Sequence, residues 1–335
     1  MNLTFRSLCP EDLEQVSAID SRIIGQPRRG FFEKRLRVAM AKPEAFLTCA
    51  ACIGDSLRGY AFARVQDGDF GSHEAVAVLD VIGVDPAAQW QGIGKSLLAG
   101  IEQRMVKKDM TVLRTEIDWA DHAMTRFFSA RDFKLAPIQI VARDTSELPE
   151  KVEEMSQIKM DGYWRVHGSG GNDYDTLSRD RVSIRSLREQ DLAEVVRLDR
   201  KLSGLDRTAY YRGKFEEMLV ETGIRVSLVA EKKDLLAGFI MARVDYGEFG
   251  KLIQTAAIDT IGVHPAEKGT GVGQALLSQL LANLSVLRVE SLRTQIQWQQ
   301  HDLHTFLQRC GFVPSQRLVL SKKVNEMNQN VDIFN

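Results

Sequence analysis

The chain contains one long motif twice, and that repeat limits what it can fold into more than any other feature. Leu79 to Leu98 reads LDVIGVDPAAQWQGIGKSLL; Ile258 to Leu277 reads IDTIGVHPAEKGTGVGQALL, 179 residues further on, with ten of twenty positions identical. Chance would give about one or two identities in such a window, so these are copies of one unit. The same offset pairs Phe5-Arg6-Ser7-Leu8 with Ile184-Arg185-Ser186-Leu187, Asp20 with Asp199, and Arg64-Val65 with Arg243-Val244. It also pairs Gly68, Phe70 and Gly71 with Gly247, Phe249 and Gly250. Arg114-Thr115, Ile117, Trp119 and His122 pair with Arg293-Thr294, Ile296, Trp298 and His301. An offset that never slips means that a whole domain is repeated. Each half of 335 residues is long enough to bury its own core. The expected division is a domain over 1–143, a linker over 144–180 that contains Gly168-Ser169-Gly170-Gly171, a second domain over 181–324 and a flexible tail over 325–335.

In the first unit, alternation over Leu3–Leu8 predicts a strand, and Pro10-Glu11-Asp12 opens a helix to about Asp20. A second helix is expected over Gly30–Met40, then a hairpin of Phe46–Ile53 and Leu57–Gln66 turning at Gly54-Asp55-Ser56. Ala75–Val84 reads as a strand ended by Asp85-Pro86. The helix from about Gly92 carries Ile93, Leu97, Leu98, Ile101 and Met105 as an apolar stripe. A strand over Thr111–Trp119, a helix over Asp121–Arg131 and a last strand over Lys134–Ala142 complete the unit, and the second unit repeats this order from Val182 to Lys322.

Bulk properties exclude several classes. A net charge of −1 supplies no pull toward nucleic acid or anionic lipid. No apolar run approaches the roughly 20 residues of a membrane span, and the opening residues carry no signal-peptide core, so a cytoplasmic protein is expected. Cys9, Cys49, Cys52 and Cys310 are too few for a disulfide framework. Cys49 and Cys52 lie at odd spacing in a strand, which points them to opposite faces as buried thiols, and no histidine or second pair completes a metal site.

A strand that runs into a glycine loop and then a helix makes a phosphate cradle. The first helical N–H groups have no partner and carry the positive end of the dipole, and glycine allows close approach and positive φ. Neither copy has the Walker pattern, and Leu97 and Leu276 stand where the third glycine of a dinucleotide fingerprint would be. Both copies instead resemble the GNAT superfamily of acyl-CoA N-acyltransferases, whose signature is [QR]-x-x-G-x-[GA] after such a strand. Gln89-Trp90-Gln91-Gly92-Ile93-Gly94 matches throughout; Lys268-Gly269-Thr270-Gly271-Val272-Gly273 departs at its first position. The resemblance spans nearly all of both units. It implies an α/β (mixed α+β) fold of two tandem domains, each a mostly antiparallel twisted sheet flanked by helices, with a parallel strand pair splayed at the coenzyme site.

The resemblance further implies acetyl-CoA, or another acyl-CoA, as donor to a primary amine that attacks the thioester directly. Its pyrophosphate would lie on residues 89 to 95, with Lys95 included, and on Lys268 to Gln274 in the second copy. The pantetheine arm would follow Ile82-Gly83-Val84 and Ile261-Gly262-Val263. Asp80 and Asp259 stand where many relatives carry a strand acid, and so are candidates for the general base. Pairing with Arg114 or Arg64 is the competing reading. Glu116, Asp118 and Asp121 are further acids near the same pocket: Glu116 is a second catalytic candidate, Asp118 an acceptor-binding one and Asp121 a coenzyme-binding one. Copy two has Gln295, Gln297 and Gln300 there, and an amide cannot accept the proton. The family's tyrosine, often the general acid, is replaced by Phe128 and Leu307.

Arg28 and Arg207 could read an acceptor carboxylate as bidentate donors, or could be solvated arginines at a helix start. Arg28-Arg29, Lys34-Arg35 and Arg37 read as a charged helix face. Trp119 and Trp298 read as core aromatics at strand ends, with coenzyme stacking as the alternative. His122 and His301 read as structural, with a substitute for the missing general acid as the alternative. The resulting expectation is an acetyl-CoA-dependent N-acetyltransferase whose first copy is the catalytic one. A coenzyme A-binding regulatory or scaffold protein is the second reading. Expected partners are a small-molecule or peptide amine, with no nucleic acid and no membrane; a homodimer is possible, although the tandem pair can itself stand in for one.

Overall fold

The computed structural model describes residues 3–67, 75–145, 182–216, 226–233, 235–246 and 254–324. The Gly68-Phe70-Gly71 match, nearly all of the expected linker, and the tail over 325–335 lie outside the described residues. In chain order the strands of the first half are β1 (Leu3–Arg6), β2 (Phe46–Ile53), β3 (Ser56–Asp67), β4 (Ala75–Val84), β5 (Val112–Asp118) and β6 (Lys134–Asp144). Its helices are α1 (Leu13–Ile24), α2 (Arg29–Ala41), α3 (Ile93–Val106) and α4 (His122–Ser129). The second half repeats them as β7 (Ser183–Ser186), α5 (Leu192–Ser203), α6 (Thr208–Glu216), β8 (Leu228–Lys232), β9 (Leu235–Tyr246), β10 (Gln254–Val263), α7 (Val272–Val286), β11 (Ser291–Gln297), α8 (His301–Arg309) and β12 (Val313–Lys323).

The compact units do not divide where the repeat divides. One unit takes the described residues of Met1–Pro137 together with those of Gln316–Asn335; the other takes Ile138–Asp245 and Gln254–Ser315. The strand expected to close the first unit therefore belongs to the second, and β12 closes the first. Unit one has the strand order β1-β2-β3-β4-β5-β12, and unit two β6-β11-β10-β9-β8-β7. β12 runs antiparallel to β5 from Arg317↔Asp118 to Lys323↔Val112. β6 pairs with β11 in the same way, from Ile138↔Gln297 to Asp144↔Ser291. Because the copies are alike, each last strand meets two nearly equivalent edges, which is the condition for exchange of an identical element.

Each sheet is covered on both faces. In unit one, Leu79, Ile93, Leu97, Ile101, Leu113, Ile117 and Leu320 form a core under α3. Val16, Ile19, Phe32, Tyr60, Phe62 and Val81 form a second core under α1 and α2. The i, i+3 pair Val16 and Ile19 sets the buried face of α1, and Gly25 ends that helix at φ 83° with its N–H donating to Ser21 O at 2.8 Å. Cys49 lies in the α3 core and Cys52 in the α1/α2 core, as their spacing requires. Among the described residues no helix is long and apolar enough to cross a membrane.

Candidate functional site

β4 and β5 are parallel neighbours only from Val76↔Val112 to Leu79↔Thr115. β4 continues to Val84 and β5 to Asp118 without further pairing, so the two strands fork. Unit two forks at the same place, after Ile258↔Thr294. A matched threonine closes each fork: Thr115 Oγ1 donates to Leu79 O at 2.9 Å, and Thr294 Oγ1 to Ile258 O at 3.0 Å. Beyond it, the β5-side edge of Ile82-Gly83-Val84 is left unpaired by β5, and that of Ile261-Gly262-Val263 by β11. Gly83 is also required by packing, since a Cβ there would meet the Tyr60 ring at 2.7 Å.

The chain then turns at Asp85, whose side chain accepts from Ala87 N at 3.1 Å, and enters α3 at Gly92 with φ 82°. The counterpart Gly271 enters α7 at φ 90°. The first helical bonds are Ser96 N to Gly92 O and Ala275 N to Gly271 O, so the N–H groups ahead of them have no intrahelical acceptor. Neither helix start is capped by a side chain. A Cβ on Gly92 would meet nothing within 4 Å. Gln89, Trp90, Gln91, Lys95, Lys268, Gly269, Thr270 and Gln274 are exposed around these starts, with Ile93 and Val272 buried beneath and Gly94 and Gly273 against Phe127 and Phe306. Trp90 takes φ 67° where copy two has Gly269 at φ 80°. An open anion cradle beside an unpaired strand edge suits a diphosphate joined to an amide-bearing arm, so these residues fit coenzyme A in both units.

The acids are placed less uniformly. A register shift between Phe62 and Ala63 leaves Asp80 out of the β3–β4 ladder, so Asp80 and Val81 both face α1 and α2. Arg64 Nε and Nη2 donate to the two Asp80 oxygens at 2.6 and 2.9 Å, and Arg35 of α2 stands 3.5 Å away. Of the two readings of Asp80, the geometry matches the ion pair with Arg64. The arrangement is repeated in unit two, where Arg243 bonds Asp259 and Lys214 stands at 3.3 Å. Arg35 is thus half-buried against a carboxylate, unlike the solvated face expected of its segment. Glu116 is buried on the same side of the sheet, 3.4 Å from Arg317 of β12. Asp118 and Asp121 are exposed and committed locally: Asp118 accepts from Ala120 N at 2.9 Å, and Asp121 caps α4 by accepting from Met124 N at 3.0 Å. An N-cap carboxylate completes its own helix, which accounts for Asp121 without a coenzyme role.

Arg28 is corrected outright. It is 6% exposed and donates Nε and Nη2 to Asp20 at 2.9 and 2.6 Å, a buried ion pair in place of a solvated arginine. Tyr60 donates to the same carboxylate at 2.8 Å; burial and then the Asp20 charge push its phenol well above the ordinary value, so it keeps its proton. Arg207 and Asp199 repeat the pair in unit two, but the hydroxyl comes from Tyr211 of α6. Tyr211 corresponds to Phe32 and Phe239 to Tyr60, so one aromatic pair has exchanged its hydroxyl between helix and strand. Trp119 and Trp298 are also corrected: they are 55% and 51% exposed past the ends of β5 and β11, not in the core. His122 and His301 are exposed at the starts of α4 and α8, while Phe128 and Leu307 are both 1% exposed. Thr115, Arg35 and Arg317 were not singled out as site residues from the sequence. The repeat did mark Thr115; Arg317 left no signal, because its partner depends on the strand exchange.

Two units built on a strand fork and a glycine-opened helix define the GNAT class of acetyltransferases. Residues 13–133 match the profile described as Acetyltransferase (GNAT) family, and residues 224–314 match the one described as Acetyltransferase (GNAT) domain. The chain belongs to the GNAT superfamily, as a tandem member with one domain in each half. A tandem GNAT protein from the clavulanic acid biosynthesis pathway is similar over 97% of this chain and 99% of its own, at 18% identity and a TM-score of 0.61. A GCN5-related N-acetyltransferase from Sphaerobacter thermophilus is similar over 96% of each chain, at 13% identity and a TM-score of 0.57. The glucosamine N-acetyltransferase region of a fungal multi-domain β-N-acetylglucosaminidase covers 96% of this chain and 38% of its own, at 12% identity and a TM-score of 0.63. No curated protein matches the chain.

Proposed function

We propose that the chain is an acyl-CoA-dependent N-acetyltransferase of a primary amine, with unit one as the catalytic unit. One contrast carries the reading: both units have the cradle and the fork, but only unit one has a buried acid, Glu116, directly after the threonine that closes it. Acetyl-CoA supplies the activated thioester. The N–H groups from Gly92 to Lys95 hold its diphosphate, and the free edge of Ile82-Gly83-Val84 orients the pantetheine arm and offers an N–H to the carbonyl oxygen. Glu116 takes a proton from the acceptor's ammonium, directly or through one water, and the neutral amine then attacks the thioester. Both Asp80 oxygens accept from Arg64, so in this proposal Asp80 holds Arg64 and Arg35 in place and leaves the base role to Glu116. The tyrosine position is filled by the buried Phe128, which has no proton to give, so in this proposal the thiolate leaves unassisted and takes its proton from water.

Unit two keeps the cradle at Lys268 to Gln274 and the edge at Ile261-Gly262-Val263, but carries Gln295 in place of Glu116. That substitution favours a coenzyme-binding unit without turnover, which is a regulatory or scaffold role for this half alone. A thiol-release screen with acetyl-CoA over small amines, amino acids, aminoglycosides and peptides tests the activity, and calorimetry beside it counts coenzyme per chain. Turnover that survives loss of the unit-one cradle but not of the unit-two cradle would overturn the assignment of units.

A further inference from the structure

The exchanged strand brings charge into unit one as well as hydrogen bonds. The Arg317 and Glu116 side chains, 6% and 5% exposed, pair at 3.4 Å, and Arg317 Nη2 also donates to Glu116 O at 3.5 Å. By the repeat, Glu116 corresponds to Gln295 and Arg317 to Ile138. Unit two sets those two neutral residues on its own corresponding pair of strands, β11 and β6. Had each half kept its own last strand, buried Glu116 would share its strand pair with Ile138, and Arg317 would lie by Gln295. A second pair follows the same rule. Lys322 of β12 donates to Glu102 of α3 at 2.6 Å, whereas unit two has Leu281 in the acid's place and Arg143 donates to the Cys310 carbonyl. The differences between the copies are thus matched to the exchanged pairing.

These two pairs act on opposite faces of the sheet. Leu318 and Leu320 pack in the α3 core, so Lys322, two residues on, faces α3 and fastens β12 there. Arg317 faces the other way, onto the side that carries Arg64, Asp80 and Arg35, and meets an acid one residue past the fork.

We propose that Arg317 is a positioning residue for the reaction of unit one: from the last strand of the sequence it fixes the Glu116 carboxylate at the fork. The proposal rests on Glu116 being the base. Turnover by the first half of the sequence then depends on a residue of the second, although the second half supplies no catalytic group.

The test uses full-length protein, acetyl-CoA and the primary amine that releases thiol fastest. Arg317→Gln is expected to lower kcat about tenfold or more while acetyl-CoA affinity stays within about twofold. The acid limb of the kcat profile should move to higher pH, because removing a cation disfavours the ionised carboxylate. Arg317→Lys should recover most of kcat, and Arg317→Gln added to Glu116→Gln should cost less than about twofold more. Lys322→Met, which also loosens β12, should lower Tm but leave kcat and the acid limb in place. Equal losses in Arg317→Gln and Lys322→Met with no movement of the acid limb would overturn the proposal and leave a docking role. So would unchanged kcat in Arg317→Gln beside a disabled Glu116→Gln, and in that case the base assignment stands. Wild-type kcat in Glu116→Gln, or coenzyme binding without turnover in the wild type, would overturn the base assignment and the positioning role together.

Discussion

Gly92→Glu separates the anion cradle from its surroundings. Space does not oppose the change, since a Cβ at Gly92 meets nothing within 4 Å. Backbone strain does: φ is 82°, and a left-handed L-residue costs about 1–2 kcal/mol. A carboxylate at the start of α3 offsets roughly 0.3–1 kcal/mol of that through the helix dipole. The variant should therefore fold with a net loss of about 1 kcal/mol, and Trp90 at φ 67° shows that this loop already carries a side chain in that region. Coenzyme binding should respond far more. A unit charge about 6 Å from another costs roughly 3 kcal/mol at an effective dielectric of about 20, and under about 1 kcal/mol in water. Between those limits the diphosphate affinity falls roughly ten- to a hundredfold. Gly92→Ala carries the same strain without the charge and should lose less than about threefold. Titration calorimetry with acetyl-CoA resolves the two variants, and Gly271→Glu gives the matching measurement for unit two. Wild-type affinity in a folded Gly92→Glu protein, with full stoichiometry, would refute the cradle as the diphosphate site.

Three further outcomes follow from the same geometry. Tyr60→Phe removes the phenol that donates to buried Asp20 and should cost about 1–2 kcal/mol in denaturant unfolding; Phe32→Tyr in that background rebuilds the unit-two arrangement and should recover most of it. Asp80→Asn leaves Arg64 and Arg35 without their shared carboxylate and should destabilise by roughly 3 kcal/mol, with acetyl-CoA affinity little changed; a Tm equal to wild type would return Asp80 to candidacy as the base. Burial disfavours the Asp12 and Asp191 carboxylates, but hydrogen bonds from Arg6 with the Cys9 N–H, and from Arg185 with the Arg188 N–H, outweigh it and hold both below the ordinary range. Their stabilisation is therefore complete above the unfolded value near 4 and is lost as pH falls through the folded one, so the Tm gap between wild type and Asp12→Asn/Asp191→Asn should close in acid.

Much of the candidate site's local geometry could be read in the sequence because it depends on neighbouring residues. Gly92 lies next to the helix that it opens, and the apolar run that Asp85-Pro86 ends delivers Ile82 to Val84 to the end of β4. Arg28 and Arg35 were misread, and Asp80 was left between two readings, for a shared reason. Arg28, Arg35 and Asp80 are charged side chains whose role depends on a partner 8, 45 or 16 residues away, and nothing in their neighbours tells a buried pair from a solvated one. Trp119 and Trp298 resemble core residues by composition, yet they follow the last residue of a strand that has already left its parallel neighbour.

The sequence alone determined that there are two like domains, that each opens a helix from a glycine loop after a strand, and that only the first has acids at 116, 118 and 121, where the second has glutamines. These are properties of consecutive residues and of an unbroken repeat. Which last strand closes which sheet was decided in tertiary structure, because the two copies present β6 and β12 with nearly equal edges. Ladder hydrogen bonds cannot choose between those edges. Buried charge distinguishes them, since in the exchanged pairing Arg317 meets Glu116 and Lys322 meets Glu102.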